Sequence, residues 1–124
     1  MDLASALVEL GRLFAVRGKI DEAMRCFARS IRIDRTYASA YFAAGDVLYD
    51  CGSYWEAASE YRDGLIYNPR NADGFVALGN CYLQVGEYPE AAVAFRQALV
   101  LQPDLHEAEQ ALGALERRTL KRAA

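Results

Sequence analysis

The chain has 124 residues, 53% of them apolar and 25% charged, with a net charge of −3. That composition excludes an intrinsically disordered chain, and the length suits one domain. The weak negative charge excludes a molecule drawn as a whole to nucleic acid or an acidic membrane, and no apolar run approaches the roughly 20 residues that span a bilayer.

The first predicted pair of helices spans about residues 4–37. Leu7, Leu10, Leu13 and Phe14 recur at helical spacing, Gly18 permits a turn, and a second helix follows. That second helix carries Asp21 and Glu22 in its first turn, where the helix dipole favours acids. Ile20, Ala23, Met24, Phe27, Ile31 and Ile33 are its expected buried face. Arg35 stands where later units have proline, which predicts a helix end that frays or runs on by a residue.

The second pair spans about 38–71. Tyr41, Ala44, Leu48 and Tyr49 form one stripe, Gly52 turns the chain, and Tyr54, Ala57, Ala58 and Tyr61 form the next. Gly64 lies inside the second helix, at a cost of about 1 kcal/mol against alanine. It permits a close helix approach or is simply tolerated. Pro69 ends the helix.

The third pair spans about 72–105, with Phe75, Leu78, Cys81 and Tyr82, then Tyr88, Ala91, Phe95, Ala98 and Leu101, and Pro103 to close it. A final helix is expected over about 105–120, opened by a capping box of Asp104 and Glu107. Leu105, Ala108, Leu112 and Leu115 should face inward. Glu109 and Glu116 fall at places held by large apolar residues in the earlier units, so they mark the polar end of a stack.

The pairs are copies of one unit. Gly11, Gly45, Gly79 and Gly113 are each 34 residues apart, and Gly18, Gly52 and Gly86 keep the same spacing. So do Ala23, Ala57 and Ala91, then Phe27, Tyr61 and Phe95, then Ile20, Tyr54 and Tyr88. A 34-residue period of paired helices predicts an all-α solenoid. Gly11, Gly45 and Gly79 lie inside helices, where glycine is unfavourable, so close packing must require them. Ala23, Ala57 and Ala91 are expected to face them across each pair. Phe27, Tyr61 and Phe95 are expected to fill the gap between one pair and the next, with the Tyr61 hydroxyl needing a partner.

These marks resemble the tetratricopeptide repeat family. The match is Leu7, Leu10-Gly11, Phe14, Ala23, Phe27 and Ser30, then Tyr41, Ala44-Gly45, Leu48, Ala57, Tyr61, Gly64 and Pro69. It continues with Phe75, Leu78-Gly79, Tyr82, Ala91, Phe95, Ala98 and Pro103. The resemblance implies a single domain over 1–124. It would be a right-handed superhelical solenoid of antiparallel helix hairpins, three repeats plus a C-terminal capping helix. It also implies that the first helix of each repeat lines a concave side and that a protein or peptide partner binds there. The residues this places in the groove are Val8, Arg12, Phe42, Asp46, Tyr49, Asp50, Val76, Asn80 and Leu83. The alternative for Val8, Val76 and Leu83 is support of neighbouring helices.

Some relatives hold acidic chaperone tails with a clamp of lysines and asparagines. Those places here hold Val8, Arg12, Phe42 and Ala43, so that activity is not expected. Convex-surface binding through Trp55 and Tyr67 is a runner-up. A further alternative is a scaffold that self-associates as a homo-oligomer through Leu3, Leu7 and Val8.

Nothing in the inventory points to catalysis. His106 is the only histidine and no nucleophile–base set accompanies it. The glycines are dispersed rather than gathered in a phosphate loop. Asp46 and Asp50, one helical turn apart, lack the support a catalytic pair needs. Three cysteines without a CxxC spacing do not read as a zinc site. Cys26 and Cys81 are expected to be buried and Cys51 exposed. No enzyme activity, cofactor or metal is expected. The absence of a signal-like N-terminus sets the cytoplasm as the expected compartment.

Overall fold

Each hairpin turns on a glycine held at positive φ: 78° at Gly18 and 81° at Gly52 and Gly86. A Cβ at any of the three would meet nothing within 4 Å, so the requirement is conformational and not spatial. The same bond closes each turn. The N–H of Lys19, Ser53 and Glu87 donates to the carbonyl of Phe14, Leu48 and Tyr82 at 2.9 Å, the long bond of a Schellman motif.

The computed structural model describes residues 1–123 and is all-α. Its helices are α1 (Leu3–Val16), α2 (Ile20–Ile33), α3 (Ala38–Asp50), α4 (Tyr54–Tyr67), α5 (Ala72–Val85), α6 (Tyr88–Leu101) and α7 (His106–Ala123). α1 pairs with α2, α3 with α4, and α5 with α6; α7 packs on α6. The chain divides into two compact units, Met1–Pro69 with α1–α4 and a second from Arg70 with α5–α7.

The N-terminal unit is built around Phe27. Its ring lies on Gly11, where a Cβ would sit 2.5 Å from the ring edge. Phe27 also clusters with Val8 and Ala23 and with Ala40, Ala43, Ala44 and Val47 of α3. In the second hairpin the Tyr61 ring covers Gly45 in the same way, at 2.8 Å. In the C-terminal unit Phe95 covers Gly79 at 2.7 Å, within a cluster of Val76, Ala91, Ala98, Ala108 and Leu115. This corrects the expected pairing. The atoms nearest the helical glycines are the ring carbons of the aromatic of their own hairpin, ahead of Ala23, Ala57 or Ala91. Real Cβ atoms do not approach ring carbons this closely, so the glycines are steric necessities.

Gly64 has the same explanation with a different ring. Phe42, one turn into α3, lies on it, and a Cβ there would be 2.7 Å from the ring. At the corresponding places the first repeat has Val8 with Ser30, and the third has Val76 with Ala98. A larger residue on the first helix thus goes with a smaller one on the second.

Helix ends show three further departures from expectation. α2 stops at Ile33 without proline, because Asp34 accepts from the Thr36 N–H at 3.0 Å and its hydroxyl at 2.7 Å, forming a tight turn. α7 begins at His106, which leaves Asp104 one residue outside the capping position. It also runs to Ala123, beyond the expected end. Caps that the repeat pattern did not indicate are Asp2, accepting from Ser5 N–H at 2.8 Å, and Asn71, accepting from Gly74 N–H at 3.0 Å. The one buried polar side chain among the described residues, Ser30, donates to the Ala4 carbonyl at 2.8 Å.

On α1, Leu10 and Leu13 are exposed rather than packed, as is Ile33 on α2. Cys26 and Cys81 are buried and Cys51 is exposed, as the sequence suggests. Among the described residues, no helix is long and apolar enough to cross a membrane.

Candidate binding face

In the N-terminal unit α1 and α3 lie side by side. Arg12 and Asp46 occupy equivalent places in the two repeats, and Asp50 follows Asp46 by one turn. All three are exposed. Asp46 is engaged from behind: the Tyr61 hydroxyl donates to its Oδ1 at 2.5 Å, which supplies the partner that Tyr61 required. Arg12 and Asp50 project from rigid helices, the placement that gives a binding residue a defined direction.

The expected apolar anchors are placed differently. Val8 is 1% exposed and Val76 5%, so both are core residues and cannot meet a ligand. Their position on the first helix faces the second helix of the same hairpin. Phe42 is half-buried for the same reason. Its ring rests on Gly64, tilted against Tyr61 with ring centroids 6.5 Å apart. Tyr49 is half-buried edge-on to Tyr54, centroids 5.0 Å apart, bracing the α3–α4 turn.

The C-terminal unit carries Asn80 and Leu83 on α5. Asn80 is half-buried and its Nδ2 donates to Glu107 Oε1 of α7 over a long 3.4 Å. Leu83 is half-buried against the α5–α7 cluster. Both are therefore partly committed to the fold.

Two concavities in the C-terminal unit lie outside the predicted groove set. One, of about 490 Å³, is lined by Phe75, Leu78 and Tyr82 of α5 and Pro89, Val93 and Gln97 of α6 among others. The other, of about 900 Å³, lies between α6 and the end of α7, where Arg118 stands 4.2 Å over the ring of Tyr88. Exposed Val93 of α6, a position the repeat pattern does not mark, lines both.

Both runner-up residues are exposed. Trp55 stands at the start of α4, and Tyr67 stacks on Tyr41 with centroids 5.6 Å apart. Perturbed acidities fall outside the predicted groove set. Burial, then Asp63, raises the Glu60 carboxyl. The Thr36 hydroxyl and N–H lower Asp34. A hydrogen bond with Glu90 raises Glu87, and burial raises Tyr41. Among the described residues no group of three or more His, Cys, Asp or Glu could hold a metal. His106 is exposed on α7, 3.4 Å from Glu109.

A family model described as Tetratricopeptide repeat matches residues 72–105, and one described as TPR repeat matches residues 11–50. Among curated proteins no sequence matches the chain. Solved structures share its architecture at low identity. "First TPR of Spaghetti (RPAP3) bound to HSP90 peptide SRMEEVD" aligns with a TM-score of 0.88 at 19% identity, covering 95% of this chain and 94% of that one. The second TPR domain of human RPAP3, in complex with the HSP70 peptide SGPTIEEVD, aligns with a TM-score of 0.85 at 22% identity, covering 92% and 95%. The Arabidopsis OM64 TPR domain aligns with a TM-score of 0.83 at 20% identity, covering 92% and 94%.

Proposed function

The chain belongs to the tetratricopeptide repeat family, and from that premise we propose that it is a non-catalytic protein-interaction module that takes a peptide segment or short helix of a partner on the face that α1 and α3 present. The observation that carries this reading is the set of exposed charges on adjacent, rigid helices: Arg12 on α1, Asp46 and Asp50 on α3. Two solved relatives hold chaperone peptides, which supports peptide binding as a class.

The acidic specificity of such peptides does not carry over. Of the clamp places, Val8 and Ala43 are buried and Phe42 leans on Gly64, so Arg12 is their sole charge. With Asp46 and Asp50 beside it, the face favours a peptide with a basic residue for the two carboxylates and an acidic or carbonyl group for Arg12.

The variants to test are Arg12→Glu and Asp50→Lys, which reverse exposed charges without touching the core. Phe42 is unsuitable because its truncation would unpack α3 from α4. Against a displayed library of unstructured peptides, the wild-type protein should enrich a family with a basic residue. The double charge reversal should lose that family by tenfold or more, about 1.4 kcal/mol, with an unchanged melting curve. Retention of the same peptides by the double variant defeats the proposal.

Self-association is the second reading, and exposed apolar residues on α1 favour it. Of the expected set Leu7 and Val8 are buried, but Leu3 is 59% exposed, as are Leu10 at 44% and Leu13 at 59%. The equivalents of Leu10 and Leu13 on α3, Ala44 and Val47, are buried. Light scattering across a concentration series tests this: a monomer at every concentration removes it.

A further inference from the structure

Four glycines share the register of Gly11, and three of them carry an aromatic ring from the returning helix of their hairpin. The fourth, Gly113 on α7, does not. A Cβ there would meet only the guanidinium end of Arg117, at 3.5 Å. α7 also does not return on itself. The turn glycines Gly18, Gly52 and Gly86 have Leu120 as their next equivalent, and the helix runs through it to Ala123. α7 thus keeps the socket of a first helix, Leu112-Gly113, and no second helix among the described residues fills it.

The rim of the socket differs from the filled ones. One turn before and after the glycine the three repeats have Leu7 and Phe14, Tyr41 and Leu48, Phe75 and Tyr82. α7 has Glu109 and Glu116, both exposed, with exposed Leu120 further along the same stripe. Glu109 lies 3.4 Å from exposed His106, and Glu116 is in no ion pair among the described residues. An apolar second helix of the usual kind would bury those two carboxylates, at a cost that disfavours it. We propose that this face of α7 docks a partner helix in trans, one that presents a single aromatic ring to Gly113 and a basic residue one turn to either side for Glu109 and Glu116. The Arg117 guanidinium swings off the glycine and onto the arriving ring, as Arg118 already stands over Tyr88. This is a second site, independent of the charged face on α1 and α3.

The probe is a helix-stabilised alanine-based peptide with one phenylalanine flanked by arginine one turn away on each side, labelled for fluorescence anisotropy. Binding to the wild-type chain is expected. Replacing its phenylalanine by alanine should weaken it tenfold or more. So should Gly113→Leu, which fills the socket while leaving the melting temperature unchanged or higher, since that Cβ meets no obstacle. Glu109→Lys with Glu116→Lys should weaken the arginine peptide and admit its glutamate counterpart. The Arg12→Glu and Asp50→Lys variant should bind the probe as wild type does, which separates this site from the peptide face. Absence of binding, or binding indifferent to Gly113→Leu or to loss of the phenylalanine, overturns the proposal.

Discussion

Glycine does three separate jobs in this chain, and each makes a different prediction. At Gly79 the need is space, because Phe95 occupies the place of a side chain. Gly79→Leu should cost about 3 kcal/mol or more and lower the melting temperature by about 10 °C; a shift within about 2 °C would remove the steric explanation. At Gly64 the need is shared with Phe42. Gly64→Ala alone should be destabilising by about 1–3 kcal/mol despite its better helix propensity. Phe42→Val alone should also destabilise, by opening a void. The double variant should lose much less than the sum, as neighbours in one packing site do. Additive losses in urea denaturation would show that the two are not coupled. The sequence does carry a signal for this pair, since the second repeat departs from its neighbours at both places. Taken separately, Phe42 suggests a groove anchor and Gly64 a tolerated defect. The ring lying on the glycine makes them one compensated change.

Helix number, order and turns are legible in the sequence because a 34-residue period repeats every decisive residue. Periodicity also carries the turn chemistry, and Gly52 gives its test. With φ at 81° and open space around it, Gly52→Ala should cost about 1–2 kcal/mol through backbone strain alone. The urea midpoint should fall with an unchanged slope; no change in midpoint would mean the turn tolerates an ordinary residue. What periodicity does not encode is local side-chain chemistry at helix ends. The Asp34–Thr36 turn does the work of proline, Asp2 and Asn71 cap their helices, and α7 starts past Asp104. None of these sits on a repeat mark. The groove set is only partly legible for a related reason. Helical spacing says which residues share a stripe, but a stripe has edges. Val8 and Val76 fall on the side turned to the returning helix, and Arg12, Asp46 and Asp50 on the open side.

At the scale of the whole chain, architecture and function separate. Paired helices and a packed aromatic per hairpin account for the fold and say nothing about a partner. Function rests on the positions that packing leaves unused, and those are few. On α1 and α3 they include Arg12, Asp46 and Asp50, which suit selection of a peptide by electrostatics, beside exposed Leu10 and Leu13. Solved structures of nearly the same architecture at 19% and 22% identity fit this division, because few shared residues suffice for the shared fold.

The placement of sulfur offers an unplanned reporter. Cys26 lies in the core of the N-terminal unit and Cys81 in that of the other, while Cys51 sits in water at the end of α3. Brief exposure to an alkylating reagent should therefore modify Cys51 at once and the two shielded thiols only when their surroundings open. Mass mapping of the modified peptides along a denaturant ramp would time the melting of each half by its own clock. Simultaneous loss of protection would mean that the halves melt as one, and staggered loss that they melt in turn.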